Sequence, residues 1–123
     1  MAEILWVGFG GFIGAILRFT ISAKVQSLQT SIFPLGTLVV NTLGCFAIGF
    51  LMALLDRGWL PSEARLFLGA GLLGALTTFS TFSWESLDLI RAGSPTLALV
   101  NILSSLVLGL AGAAAGLFFG RIL

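Results

Sequence analysis

Four apolar stretches, at about residues 4–23, 34–55, 66–92 and 95–120, occupy nearly all of this 123-residue chain. A helix of about 20 residues crosses the roughly 30 Å hydrocarbon core of a bilayer, and each stretch is long enough to do so. What separates them is short and polar: Lys24, Gln26, Ser27, Gln29, Thr30 and Ser31, then Asp56, Arg57, Gly58 and Pro61, then Gly93 and Ser94. With 58% hydrophobic and 9% charged residues, the chain has too little polar surface to clothe a water-soluble core. The pattern predicts an all-α integral membrane protein of four transmembrane helices, a single domain over 1–123 with no extramembrane part of any size. Its function must be built from the helices themselves.

Local signals fix where the spans begin and stop. Pro34 suits a first helical turn, where its missing N–H costs nothing, and Ser94-Pro95 reads as an N-cap followed by a first-turn proline. Gly93 is a C-terminal stop for the third span. The N-terminal MAEILWVGFGG has no basic region or cleavage site of a signal peptide, so the first span is expected to stay in the membrane. Trp6 and Trp59 read as interfacial anchors. Small residues recur at helical spacing, as Gly10 with Gly14, Gly11 with Ala15, and Ser105, Gly109, Gly112, Gly116 and Gly120. Such columns let helix backbones approach closely and predict a tight bundle.

Several chemistries find no residues to carry them. Histidine is absent, Cys45 stands alone, and no GxxxxGK[ST] phosphate loop marks an ATP-driven pump. Nothing suggests an enzyme, a metal cluster or a nucleic-acid binder.

The basic residues carry a further message. With four spans, Arg57, Arg65 and Arg121 fall on one side of the membrane and Arg18, Lys24 and Arg91 on the other. Orientation follows the Lys/Arg imbalance between sides, and here there is none. The chain is expected to insert both ways and to pair as an antiparallel, dual-topology homodimer about an axis in the membrane plane. The alternative is an unknown partner that fixes one orientation.

Within the third span, Gly71–Ser83 reads GLLGALTTFSTFS, with five hydroxyls, two glycines and two phenylalanines. Polar groups at bilayer depth persist only when satisfied internally or lining a wet or ion-filled passage. Gly71, Gly74, Thr77 and Thr78 sit near the middle of the span, a poor composition for an unbroken helix. A break there would release carbonyl oxygens, and an in-plane two-fold would bring two such breaks together as a monovalent-cation site. The alternative is a continuous helix whose hydroxyls bond back to their own carbonyls. Phe79 and Phe82 share a face, and a phenyl ring has a positive edge suited to a bare anion.

Neighbouring spans add polar stripes. Thr37, Asn41 and Gly44 line one face of the second, and Asn101 and Ser105 lie one turn apart on the fourth. The amide of Asn41 is a donor suited to an anion, and interhelical bonding is its other use. Arg18 lies about 21 Å along the first span, placed to draw anions into a vestibule or to hold the bundle together. Glu85, just past Trp84, is expected near the same interface at the periphery of the path, with Arg18 as one possible partner.

Three segments, Gly11-Phe12-Ile13-Gly14-Ala15-Ile16-Leu17-Arg18-Phe19, Gly36-Thr37-Leu38-Val39-Val40-Asn41 and Gly74-Ala75-Leu76-Thr77-Thr78-Phe79-Ser80-Thr81-Phe82-Ser83, resemble the signatures of the Fluc/CrcB fluoride channels. The resemblance spans all four helices. It implies a dual-topology dimer with two antiparallel pores in the inner membrane of a bacterium, exporting fluoride that accumulates when hydrogen fluoride enters and dissociates. By position it implies that Asn41, Thr37, Thr81 and Ser105 line the pore, that Phe79 and Phe82 form an aromatic box, and that Arg18 serves a vestibule or structural role. It further implies that the carbonyls of Gly74 and Thr77 hold a central structural sodium ion. Family members often carry a tyrosine on the fourth span facing the aromatic box; this chain has none and presents Asn101 in about that place.

The expected mechanism is passive electrodiffusion, with hydroxyls, an amide and aromatic edges replacing the water around fluoride. Two rivals are a dual-topology small multidrug-type proton antiporter and a membrane scaffold. The antiporter needs a membrane-embedded carboxylate on the first span, where only Glu3 at its start is acidic.

Overall fold

A computed structural model describes Met1–Leu123 and contains helices and turns without strands. Helix α1 spans Ala2–Gln26 and α2 Leu35–Asp56. The third span opens with α3, Arg65–Leu73, continued by the single turn Gly74–Leu76; α4 is Phe79–Arg91 and α5 is Pro95–Ile122. Four segments are long and apolar enough to cross a membrane: Ala2–Gln26, Leu35–Asp56, Arg65–Arg91 and Pro95–Ile122. The chain is a multi-pass membrane protein.

The connections are tied down by side chains that serve exposed helix ends. Gln26 spans the first loop, donating from Nε2 to the Phe33 carbonyl (3.0 Å) and accepting the Gly36 N–H at Oε1 (3.1 Å). That N–H belongs to the first turn of α2, which has no intrahelical partner for it. Arg57 reaches the Arg121 carbonyl at the end of α5, and its guanidinium lies 4.3 Å from the centre of the Trp59 ring. Gly58 (φ 70°) and Gly93 (φ 76°) take the left-handed conformation that closes the helices before them. Ser94 occupies the N-cap position of α5 without a side-chain bond, and Pro95 follows in the first turn.

Packing runs along the small-residue columns. On α5, Gly112 and Gly116 face the carbonyls of Thr42 and Phe46, while Gly49 of α2 faces the Ala113 carbonyl. Against α3, Gly10 and Gly14 of α1 face the carbonyls of Phe67 and Leu72. A methyl group at Gly10, Gly14, Gly49 or Gly116 would collide with main chain, so these backbones touch directly. Lipid is as apolar as leucine, and close contact of this kind is what drives helices together there. The buried apolar cluster is correspondingly small, Val40, Leu51, Leu73 and Leu76 at the meeting of α2 with the third span. Large side chains such as Phe9, Phe12, Phe19, Leu106 and Leu110 stand on the outside.

Arg65–Leu73 is wound as a π-helix, wider than the α-helix expected there. Such winding is uncommon beyond a single turn. It brings Gly71 against Val7 and Gly10, where a larger residue has no room.

Candidate functional site

Thr77 (φ −82°, ψ 156°) and Thr78 (φ −151°, ψ 119°) are extended, between the turn ending at Leu76 and the start of α4. Both main-chain groups of Thr78 are held by one side chain: its N–H donates to Asn41 Oδ1 (2.8 Å) and its carbonyl accepts from Asn41 Nδ2 (3.1 Å). The Thr78 hydroxyl caps α4 by accepting the Thr81 N–H (3.2 Å). In a continuous helix the Thr78 N–H would serve the Gly74 carbonyl and the Thr81 N–H the Thr77 carbonyl. Both donors are diverted, so the carbonyl oxygens of Gly74 and Thr77 are without a hydrogen-bond donor. Two orphaned carbonyls are the hard oxygen donors that sodium takes, and the residues fit such an ion.

The stripe on α2 meets this segment along its length. Thr37 Oγ1 donates to Glu85 Oε1 (2.8 Å), Asn41 holds Thr78, and Gly44 leaves room for the Thr77 methyl. A Cβ at Gly44 would collide with that methyl group. Spacing placed these three on one face; the structure shows that the face is turned to the third span.

A cavity of about 650 Å³ opens between α1, α2 and α4, lined among others by Arg18, Thr37, Thr78, Thr81, Glu85 and Asp88. Its donors differ in availability. The Thr78 hydroxyl donates to Thr81 Oγ1 (3.0 Å), which leaves the Thr81 proton free. The Thr37 proton is spent on Glu85. Asn41, which lines the cavity across the break and not this one, retains one N–H of its two, since a primary amide carries two donors. Arg18 is half-buried and forms no ion pair; the single ion pair of the chain is Arg91–Asp88, 3.9 Å and exposed.

Two expectations are corrected here. Arg18 and Glu85 share the cavity wall but form no ion pair, and the one hydrogen-bond partner of the Glu85 carboxylate is the Thr37 hydroxyl. Glu85 is not peripheral: it is half-buried, and its Oε2 is buried without a partner. Restarting the helix at Phe79 places Glu85 less than two turns from the break and against α2.

On the other side of the break, a second cavity of about 360 Å³ is lined by Asn41, Gly44, Cys45, Gly74, Thr77, Thr78 and Phe79 among others. The orphaned carbonyls therefore belong to residues that face away from the Arg18 cavity, with Thr78 common to both. Phe79 and Phe82 are paired, with ring centres 5.6 Å apart and planes inclined at 46°. Phe79 is 80% exposed on the surface of the single chain.

The α5 residues lie apart from these cavities. Asn101 is 1% exposed and donates to Ser86 Oγ (3.0 Å), which in turn donates to the Phe82 carbonyl (2.8 Å). Asn101 thus braces α4 from behind and lines neither cavity. Ser105 is half-buried and lines neither cavity as well. Helical spacing puts Thr78, Thr81 and Glu85 on one stripe, and all three line the larger cavity; Ser86 was legible only as a polar residue, and no spacing signal marks what it contacts.

A helical membrane domain whose third span is opened to expose carbonyls beside an amide on one side and hydroxyl and guanidinium donors on the other defines a small ion-transport protein. The chain belongs to the CrcB family: the family model described as CrcB-like protein, Camphor Resistance (CrcB), matches residues 5–117. It is 45% identical over 122 residues to the fluoride-specific ion channel FluC of Magnetococcus marinus, covering 98% of this chain and 99% of that protein. The fluoride-specific ion channel FluC of Thermotoga maritima is 45% identical over 121 residues (97% and 94% covered), and that of Shewanella halifaxensis 49% over 102 residues (83% and 82%).

Proposed function

We propose that this chain is a fluoride-selective passive channel that exports fluoride across the inner membrane of a bacterium and works as an antiparallel homodimer. The observation that carries the reading is the extended Thr77–Thr78 pair held by Asn41 inside a membrane-spanning segment. Non-helical backbone at membrane depth is tolerated where it lines a cavity or an ion site.

Fluoride is small and strongly hydrated, so the path must supply donors at close range. Arg18 raises the local anion concentration at the mouth of the larger cavity without binding a carboxylate there. The free Thr81 proton, the spare Asn41 N–H and the edges of Phe79 and Phe82 then replace water along the route. None of these donors is a full charge that would trap the ion. Thr37 belongs to the same wall. The exposure of Phe79 on the single chain fits a ring that completes its box against a second copy, and Ser105, which lines neither cavity of the single chain, would join the lining through that copy.

The even division of Arg18, Lys24 and Arg91 against Arg57, Arg65 and Arg121 supports insertion in both orientations. With the two breaks at the bilayer midplane, an in-plane two-fold brings the Gly74 and Thr77 carbonyls of both copies together. A sodium ion held there would neutralise four converging dipoles and lock the two copies in register. Hydrogen fluoride enters cells by diffusion and dissociates; the negative-inside potential drives the anion out with no coupled step.

The test is efflux from liposomes containing the purified protein, followed with a fluoride electrode while a potassium ionophore compensates charge. Rapid release of fluoride with retention of chloride is expected. Release of both ions, or of neither, would overturn the reading.

A further inference from the structure

The wall of the larger cavity contains a contradiction in its donor inventory. Thr37 is placed to serve an anion, yet its hydroxyl has one proton, and that proton is directed at Glu85 Oε1 (2.8 Å). Glu85 meanwhile has a second oxygen, Oε2, buried without any donor. An ionised carboxylate accepts only, and leaving one of its oxygens desolvated and unpaired is costly. The same carboxylate, if charged, stands in the wall of a cavity that the proposed function assigns to an anion.

A proton on Glu85 Oε1 removes the first and the third, and it lowers the second, because Oε2 is then an uncharged carbonyl oxygen and cheaper to leave unpaired than a carboxylate oxygen. We propose that Glu85 carries a proton in the conducting state and donates it to Thr37 Oγ1, which frees the Thr37 hydroxyl proton for the anion. The inference rests on the channel reading above and names Glu85 as a residue that sets the donor supply of its path. The step is a proton binding to a carboxylate from water; the 2.8 Å contact serves either direction of donation. Fluoride passes without carrying that proton, so no stoichiometric coupling arises.

The surroundings of Glu85 are few. From α1, Arg18 lines the same cavity and favours the ionised form; from α4 itself, Asp88 lines it and favours the protonated form. From α2, Thr37 and Val40 line the wall and carry no charge, and from the first loop Ile32 and Pro34 add none. On the α5 side the nearest polar contact to α4 is the neutral Asn101–Ser86 pair. Arg18 makes no ion pair with Glu85, which is the arrangement a neutral acid permits.

The experiment is fluoride current through the full-length protein in planar bilayers, recorded between about pH 8 and pH 5.5, a window above the ordinary glutamate range. Neutral hydrogen fluoride carries no current and does not contribute. The wild-type current is expected to rise by about tenfold as pH falls, since a like charge is removed from the path. Glu85→Gln, whose amide donates to Thr37 permanently, is expected to conduct at the acidic level throughout. Arg18→Gln is expected to let the current rise at higher pH than in the wild type, since a positive charge that opposes protonation is removed. A wild-type current independent of pH, or a folded Glu85→Gln protein that does not conduct while the wild type does, would overturn the proposal.

Infrared difference spectra of the reconstituted protein supply a readout that needs no conduction. A protonated-carboxyl carbonyl band that grows as pH falls through the same window and is lost in Glu85→Gln supports the assignment, and its absence overturns it. That band without fluoride current at any pH would sink the channel reading alone.

Discussion

Replacing Asn41 with alanine tests the clamp on the helix break, and its size follows from two contacts. Asn41 holds the Thr78 N–H at 2.8 Å and the Thr78 carbonyl at 3.1 Å. If these were ordinary interhelical hydrogen bonds in a membrane, at about 0.6 kcal/mol each, their loss would cost about 1.2 kcal/mol, or roughly eightfold in an equilibrium. The account assigns them more, because removing Asn41 strands two main-chain groups of a non-helical residue away from water, at about 1–3 kcal/mol each. The break then competes with the annealed helix, in which the Thr78 N–H returns to the Gly74 carbonyl. Even the lower figure, about 2 kcal/mol, shifts that competition by roughly thirtyfold. Asn41→Ala is therefore expected to lower fluoride efflux from liposomes by about thirtyfold or more, with the protein still folded by size-exclusion chromatography. Asn41→Asp, which keeps the acceptor and loses the donor, is expected to fall at least as far because it also adds a negative charge. A loss of less than about eightfold in Asn41→Ala would refute the clamp and leave Asn41 as an ordinary packing amide.

Three further outcomes follow. Gly116→Val forces a side chain into the Phe46 carbonyl and is expected to destabilise the protein by about 1–3 kcal/mol or more, read as a lower midpoint in thermal denaturation; an unchanged midpoint would contradict the α2–α5 contact. Arg18→Gln is expected to lower fluoride current several-fold at low ionic strength, with the difference shrinking above about 0.5 M salt as screening shortens to a few ångströms; a salt-independent loss would point to a structural role. Exchanging sodium for a large organic cation is expected to lower both the thermal midpoint and fluoride efflux, with sodium restoring them. No response to sodium in either measurement would remove the ion from the account.

The fold was legible because lipid imposes a coarse code. About 20 apolar residues followed by a polar break is read the same way by a bilayer as by eye, and four such stretches became four helical segments long enough to cross it, the third interrupted at Thr77 and Thr78. The ends were less legible: α1 runs on to Gln26 past the expected stop near Ala23, since hydropathy marks where lipid ends and not where helix ends. Periodicity put Thr37, Asn41 and Gly44 on one face, but a face does not name its neighbour. That Asn41 would spend both ends of its amide on Thr78 required the third span to be seen beside it. Glu85 was misread for a related reason. Counted along one continuous span it falls at the edge of the apolar run, whereas an extended pair at Thr77 and Thr78 starts a new helix and turns Glu85 onto the cavity. The π winding of Arg65–Leu73 leaves no trace in residue pattern, because apolar spacing does not report hydrogen-bond offset.

Passive, selective conduction of fluoride stands or falls on the reversal potential of the current. Purified protein in a planar bilayer would face a fluoride gradient with chloride symmetric, and then the same gradient with a pH difference imposed. The account predicts reversal at the Nernst potential of fluoride in both cases. Reversal displaced toward zero would mean that chloride also passes, and reversal that moves with the proton gradient would mean a coupled transporter; either contradicts it.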